Sequence, residues 1–407
     1  VAITAGKLGI GFTDAQIKIG NTALDSLTTG TENTAVGNAA LTANTTGARN
    51  TAVGANALDA NTTANNNTAI GHDALTANTT GANNTAVGSF AGNGVTTASN
   101  ITAIGKGTLN ATTTGDSNTA VGHGALAANT TGAQNTAVGD LALDANTTAS
   151  NNTALGYNSL SANTTGEKNV VVGSAAKLNN TTGSQNTVVG YYADGADTDN
   201  DYVTAIGYHA LRNNTASGNT ALGWTAAEEN TTGSINTAIG KQALRYNTTG
   251  VQNTAVGEQA MEGSSGSSTP SYCTALGFRA LESITTGQDN TALGYYAMQA
   301  NTTGTGNVAV GDYALDANTT ANYNTACGYQ ALTSSQTATG NAAFGFQAMQ
   351  DNTTGANNVA CGYQALHNNT TAGYNSAVGQ NALATNTTGQ YQTAMGQGAL
   401  YASNADH

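Results

Sequence analysis

The chain has 407 residues, only 8% of them charged, with a formal net charge of -13 and an apolar share of 39% that is largely Ala. So few ionic groups, spread widely and mostly acidic, exclude the basic patch that a phosphate backbone requires, and no nucleic-acid partner is expected. Large side chains are too sparse for one thick hydrophobic centre, and no apolar run approaches the length of a membrane span, so no membrane insertion is expected of this segment.

In chain order, residues 1–16 form a lead-in without a basic-then-apolar signal pattern, and the chain reads as a piece of something longer. From residue 17 to 407 one pattern recurs, Asn-Thr-Ala-Val-Gly-x-x-Ala-Leu-x-Ala-Asn-Thr-Thr-Gly-x-x. Its anchor glycines run from Gly20 to Gly396 in steps of 17 residues, broken once by a step of 16 to Gly223 and once by a step of 20 to Gly277. Such a period leaves no room for a separate globular domain, and a unit this small cannot bury its own core, so the units must stack. Asn33-Thr34-Ala35-Val36-Gly37 is β-prone and closed by Gly, whereas Asn44-Thr45-Thr46-Gly47 carries turn chemistry. Helical repeats are longer and need amphipathic helices that these turn-formers preclude. The expected fold is an all-β parallel β-solenoid, or β-roll, of about 23 coils, on the order of 110 Å long at the usual strand spacing.

The columns of the repeat assign walls. The residue before the anchor Gly is always apolar, as at Val36, Val53 and Ile70, and Leu recurs four residues after it, as at Leu41, Leu58 and Leu75. These two columns are the expected core. The Ala between Thr and Val then faces the other way, and a strand apolar on both faces is usually buried on both. Identical chains are therefore expected to pack along an Ala seam, most simply as a homotrimeric rod.

The Asn-Thr-Ala-Val-Gly motif resembles the Asn-Ser-Val-Ala-Ile-Gly motif of the head domains of trimeric autotransporter adhesins, which fold as trimeric β-rolls. The whole unit, in its Gly-Tyr-Gln-Ala-Leu form at residues 328–332 and 362–366, is similar to repeats of phage tail-fibre and bacterial fibre proteins, as is Lys7-Leu8-Gly9-Ile10-Gly11. The resemblance implies a structural and adhesive extracellular fibre, on a phage tail or capsid or as a bacterial surface filament. Its partners would be other copies of itself, in a homotrimer or filament, and cell-surface carbohydrate.

Candidate chemistry is thin. His72, His123, His209, His367 and His407 are scattered without metal-ligand spacing, and no nucleophile elbow or phosphate-cradling loop occurs, so neither an enzyme nor a cofactor is expected. Cys273, Cys327 and Cys361 show no metal spacing, and the last two stand in the Val column, where burial is expected. The divergent coil at residues 191–203 carries Asp194, Asp197, Asp199 and Asp201; the last three are a weak Ca²⁺ candidate, and a solvated acidic loop is the better expectation. Asn-Thr-Thr matches a glycosylation sequon at fourteen positions from Asn44 to Asn386, and turn chemistry predicts a structural ladder there.

Two surface features stand out. An aromatic stripe follows the anchor Gly at Tyr157, Tyr191, Tyr208, Trp224, Phe278, Tyr295, Tyr329, Phe346 and Tyr363, where rings would either stack on glycans or pack against the protein. An insertion at residues 262–271, with the sole Pro270, is a candidate contact loop. The alternative function is an ice-binding solenoid using Thr ladders, against which stand the frequent replacement of the strand Thr by apolar residues and the position of the Thr-Thr pair in a turn.

Overall fold

The computed structural model describes residues 16–266 and 268–403; the Lys7–Gly11 piece, nearly all of the lead-in, Ser267 within the insertion, and His407 lie outside the described residues. The protein is an all-β parallel solenoid with a 17-residue repeat, and among the described residues there is no helix. The solenoid expected over residues 17–407 falls into two compact units, Val1–Val203 and Thr204–His407. The first carries strands β1 (Ile17–Ile19) and β2 (Thr34–Val36) through β8 (Thr136–Val138) and β10 (Val170–Val172) to β11 (Thr187–Val189). The second carries β12 (Thr204–Ile206) through β23 (Thr393–Met395). Within each unit successive strands pair parallel and in register, so that Ala35 lies beside Ala52 and Ala238 beside Ala255.

Each strand is only three residues long, yet the ladder continues around the coil. The Gly37 N–H donates back to Ile19 O at 2.7 Å, while Thr34 N–H donates forward to Asn50 O at 2.8 Å. Outside the strands Leu41 N–H reaches Ala57 O at 3.0 Å and Thr45 N–H reaches Thr62 O at 2.9 Å. The bends come from left-handed residues, in the coil of β2 Ala39, Leu41 and Arg49 with φ of 54°, 53° and 59°. A non-glycine residue in that region costs about 1–2 kcal/mol, so these bends stand because the stacked backbone holds them. The anchor Gly is a stricter requirement. Gly139 has φ +142°, and a Cβ there would lie 2.3 Å from Gly156 O in the next coil.

The strand walls run opposite to the expected assignment. Ala35, Ala52 and Ala69 have no exposed surface, whereas Val36 and Val53 are half-exposed and Ile70 is 40% exposed. Val36, Val53 and Ile70 are therefore not core, and the Ala column, lying inside the coil, cannot be a seam between chains. Leu41, Leu58 and Leu75 are fully buried. The reason is lumen volume. A three-residue strand turns either one side chain inward or two, and the interior already holds Ala40, Leu41 and the side chains of Asn33 and Asn44. A methyl group fits the remaining space and a pair of branched side chains does not, so alternation sends Thr and Val outward together.

Two buried Asn ladders complete the interior. Asn50 Nδ2 donates to Ala64 O at 2.9 Å across its own coil, and its Oδ1 accepts the Asn67 N–H of the next coil at 3.0 Å. In the second ladder Asn61 Nδ2 donates to Asn44 Oδ1 at 2.9 Å and to Ala64 O at 3.2 Å. This second ladder consists of the sequon asparagines. Asn44, Asn61, Asn146, Asn247 and Asn386 alike have no exposed surface, so the folded chain offers their amides to no glycosylating enzyme. The ladder breaks where another residue follows in the column: Asn78 Oδ1, facing the Val95 coil, and Asn318 Oδ1, facing the Ser335 coil, lack hydrogen-bond partners.

Candidate functional surface

The outward Thr and aliphatic columns make a β-face on each unit. In the aliphatic column Ile104, Leu155, Leu222, Leu276 and Phe344 are all exposed, and among the described residues no strand contributes a charged residue to either outward column. Cys327 and Cys361 belong to the aliphatic column and are exposed, contrary to the burial expected of them, and only Cys273 is buried. Burial pushes the Cys273 thiol up to about 11, partly offset by hydrogen bonds with Asn290. From β2 to β8 the face is uniform, with Thr in one column and only Val or Ile in the other. In the second unit the same columns also admit Leu, Cys, Phe and Met beside Thr, Val, Ala and Ser.

The two Thr columns have different duties. The turn threonines bind their hydroxyls to the next coil, as Thr45 Oγ1 does to Thr62 O at 3.1 Å and Thr231 Oγ1 to Thr248 O at 2.8 Å. The strand threonines, such as Thr34 and Thr136, present theirs outward on the face.

The structure assembles part of the predicted aromatic stripe. Phe278 stacks on Tyr295 with centroids 5.4 Å apart, Tyr329 on Phe346 at 5.5 Å, and Phe346 on Tyr363 at 5.1 Å. Asp312 interrupts the column between Tyr295 and Tyr329, and Tyr313 from the neighbouring column bridges the gap edge-on, at 5.5 and 6.3 Å. Tyr208 lies parallel to Trp224 at 6.4 Å. Ser174 separates Tyr157 from Tyr191 in the column. Stacked rings cover one another's faces, and a ring's face is what a sugar would stack on, so the ladder exposes mainly ring edges.

A second aromatic column lies at the other turn, two residues after the turn-Gly position, which holds Asn200, Pro270, Ala321, Ala372 and Gly389 in these coils: Tyr202, Tyr272, Tyr323, Tyr374 and Tyr391, all more than half exposed. Sequence reasoning missed it because all but the last two rings are spaced by gaps of several coils, although the column was visible once the turn position served as a ruler. Tyr374 and Tyr391 stack at 5.1 Å. Most of the insertion at residues 262–271 rejoins the coil: Ser268 Oγ donates to Ile284 O at 2.8 Å, and Pro270 O accepts Asn253 Nδ2 at 2.7 Å. Only Ser264, Ser265 and Gly266 of its described tip are exposed.

The acidic coil is neither a cation site nor a solvated loop. Asp194 and Asp197 turn into the lumen, and Lys177 Nζ occupies the place a cation would take, 2.7 Å from Asp194 Oδ2 and 2.9 Å from Asp197 Oδ2. Asp199 is exposed, and Asp201 Oδ1 accepts the Ser184 N–H at 2.6 Å, so Asp197, Asp199 and Asp201 do not converge. Among the described residues no group of His, Cys, Asp or Glu could hold a metal ion. No described helix is long and apolar enough to cross a membrane.

No family model matches the chain, and no curated protein matches it.

Proposed function

We propose that the chain is a structural and adhesive element of an extracellular fibre, on a bacterial surface or a virion, in which copies pack side by side through the outward Thr–aliphatic face. The observation that carries this reading is the uncharged, partly apolar face repeated at every rung. Interfaces are depleted of charge at their centre, and a second copy has the same rung spacing, so each rung meets an equivalent rung. The homotrimer once expected from an Ala seam is thereby moved to the opposite face of the strand. Adhesion to host glycans fits the isolated exposed rings of the second column, such as Tyr202 and Tyr323, better than the self-stacked ladder. The proposal predicts that Ile104→Lys leaves the fold intact and converts an oligomer into a monomer in analytical ultracentrifugation. A wild-type chain that stays monomeric at tens of micromolar would contradict it.

An ice-binding role is the second reading, favoured by one specific observation. The strand threonines face outward rather than into the core, and over β2 to β8 they form a regular two-column array with Val and Ile. Thermal hysteresis that disappears in Thr85→Lys would favour this reading over the fibre.

A further inference from the structure

Coils of one sequence stack equally well on any other coil of that sequence. Where Leu meets Leu and Asn meets Asn at every rung, a slip by one repeat replaces each contact with an equal one, and only looped-out chain opposes it. The uncharged columns of the first unit vary at Gly92, Val95, Ile101 and Thr112, but among its described residues charged side chains are buried at one pair of coils. Lys177 and Asp194 stand in the Leu column of successive coils, Asp197 in the buried Asn column, and Asn200 in the turn-Gly column. All four are buried.

We propose that these residues form a register lock, which selects the native neighbour among otherwise interchangeable coils. Lys177 Nζ donates to Asp194 Oδ2 at 2.7 Å, Asp197 Oδ2 at 2.9 Å and Asn200 Oδ1 at 2.6 Å, which uses all three of its N–H groups. Asp197 Oδ1 is held in turn by the Asn200 N–H at 3.0 Å and the Asp199 N–H at 3.2 Å. The ammonium belongs to one coil and every acceptor to the next, so the network closes only when those two coils are adjacent. A slip by one coil within the unit would set Asp194 against Leu160, leaving a buried carboxylate away from its ammonium. An ion pair removed from water adds little net stability over an apolar pair of the same volume, but leaving one partner unpaired is strongly unfavourable. The cluster thus acts on choice of register more than on stability.

The test restores the repeat consensus in Lys177→Leu/Asp194→Leu/Asp197→Asn/Asn200→Gly, using residues that already occupy those columns elsewhere in the unit. Register is read by adding Val170→Cys and Thr187→Cys, which are direct partners across β10 and β11, at a spacing a disulfide can bridge. After refolding from denaturant and oxidation, peptide mapping counts the 170–187 link. In the native background nearly all chains are expected to carry it. In the consensus variant its yield is expected to fall several-fold, with melting temperature and far-UV circular dichroism unchanged or improved. A consensus variant that regains the link at native yield would overturn the proposal. So would one that fails to fold, because the cluster would then be serving stability.

Discussion

Ala137 and Val138 are adjacent in sequence, yet the inner wall and the outer face to which they belong obey different rules. The inner wall admits almost no variation: Ala fills the strand position except where Val171 and Val188 pack without exposed surface, and at Lys18 in the first strand. The outer face accepts Val, Ile, Leu, Cys, Phe and Met in a single column. Constancy marks the tight side of the strand, and size marks the loose side. The contrast teaches that in a narrow solenoid the small residue is the core residue, because lumen volume and not hydrophobicity decides which side chains enter.

The largest effect separating the two regions should come from the polar part of the interior. Asn135→Ala removes the donor to Ala149 O at 2.9 Å and the acceptor of the Asn152 N–H at 2.9 Å. The Asn152 N–H is left unpaired and Ala149 O keeps only its bond from Asn146 Nδ2 at 3.1 Å, a loss of about 3 to 4 kcal/mol that hydrogen exchange at neighbouring amides would report as faster local opening. Leu143→Ala should follow, at about 3 kcal/mol for a buried side chain deleted into a wall with little room to collapse. The matched outer change, Val138→Ala, should cost less than about 1 kcal/mol; equal losses in the pair would erase the distinction between wall and face.

A smaller contrast lies in the thiols. In dilute chain at pH 8, a maleimide should modify Cys327 and Cys361 within minutes and leave Cys273 untouched until denaturant is added. The ordering follows from exposure of the first two and from the burial that pushes Cys273 up to about 11 and keeps it protonated. Modification of Cys273 at the rate of the other two would show that its coil opens freely.

The architecture was legible because the anchor Gly, the turn triplet and the strict period are local signals that each encode one physical demand: a positive φ, a bend and a stackable unit. The buried Leu column was legible for the same reason, since Leu or the similarly sized Met fills it in most coils. The strand walls were not. Alternation shows that Ala35 opposes Thr34 and Val36 but does not say which side is inside, and the usual preference for the larger apolar residue points the wrong way here. Nor did propensity reveal that Leu41 occupies a left-handed bend, or that the interior is lined by asparagines whose triplets look like sequons. The Lys177 cluster was hidden because its acidic half resembles a cation loop until the coil stacking brings an ammonium from the preceding repeat.

A pair of lysine substitutions tests the central inversion most directly. Val138→Lys should fold with native circular dichroism, its ammonium in solvent, while Ala137→Lys should lose the native signal over the coils around it, because a charge cannot enter the lumen unpaired. A folded Ala137→Lys beside an unfolded Val138→Lys would contradict the account and return the Ala column to the outside of the coil.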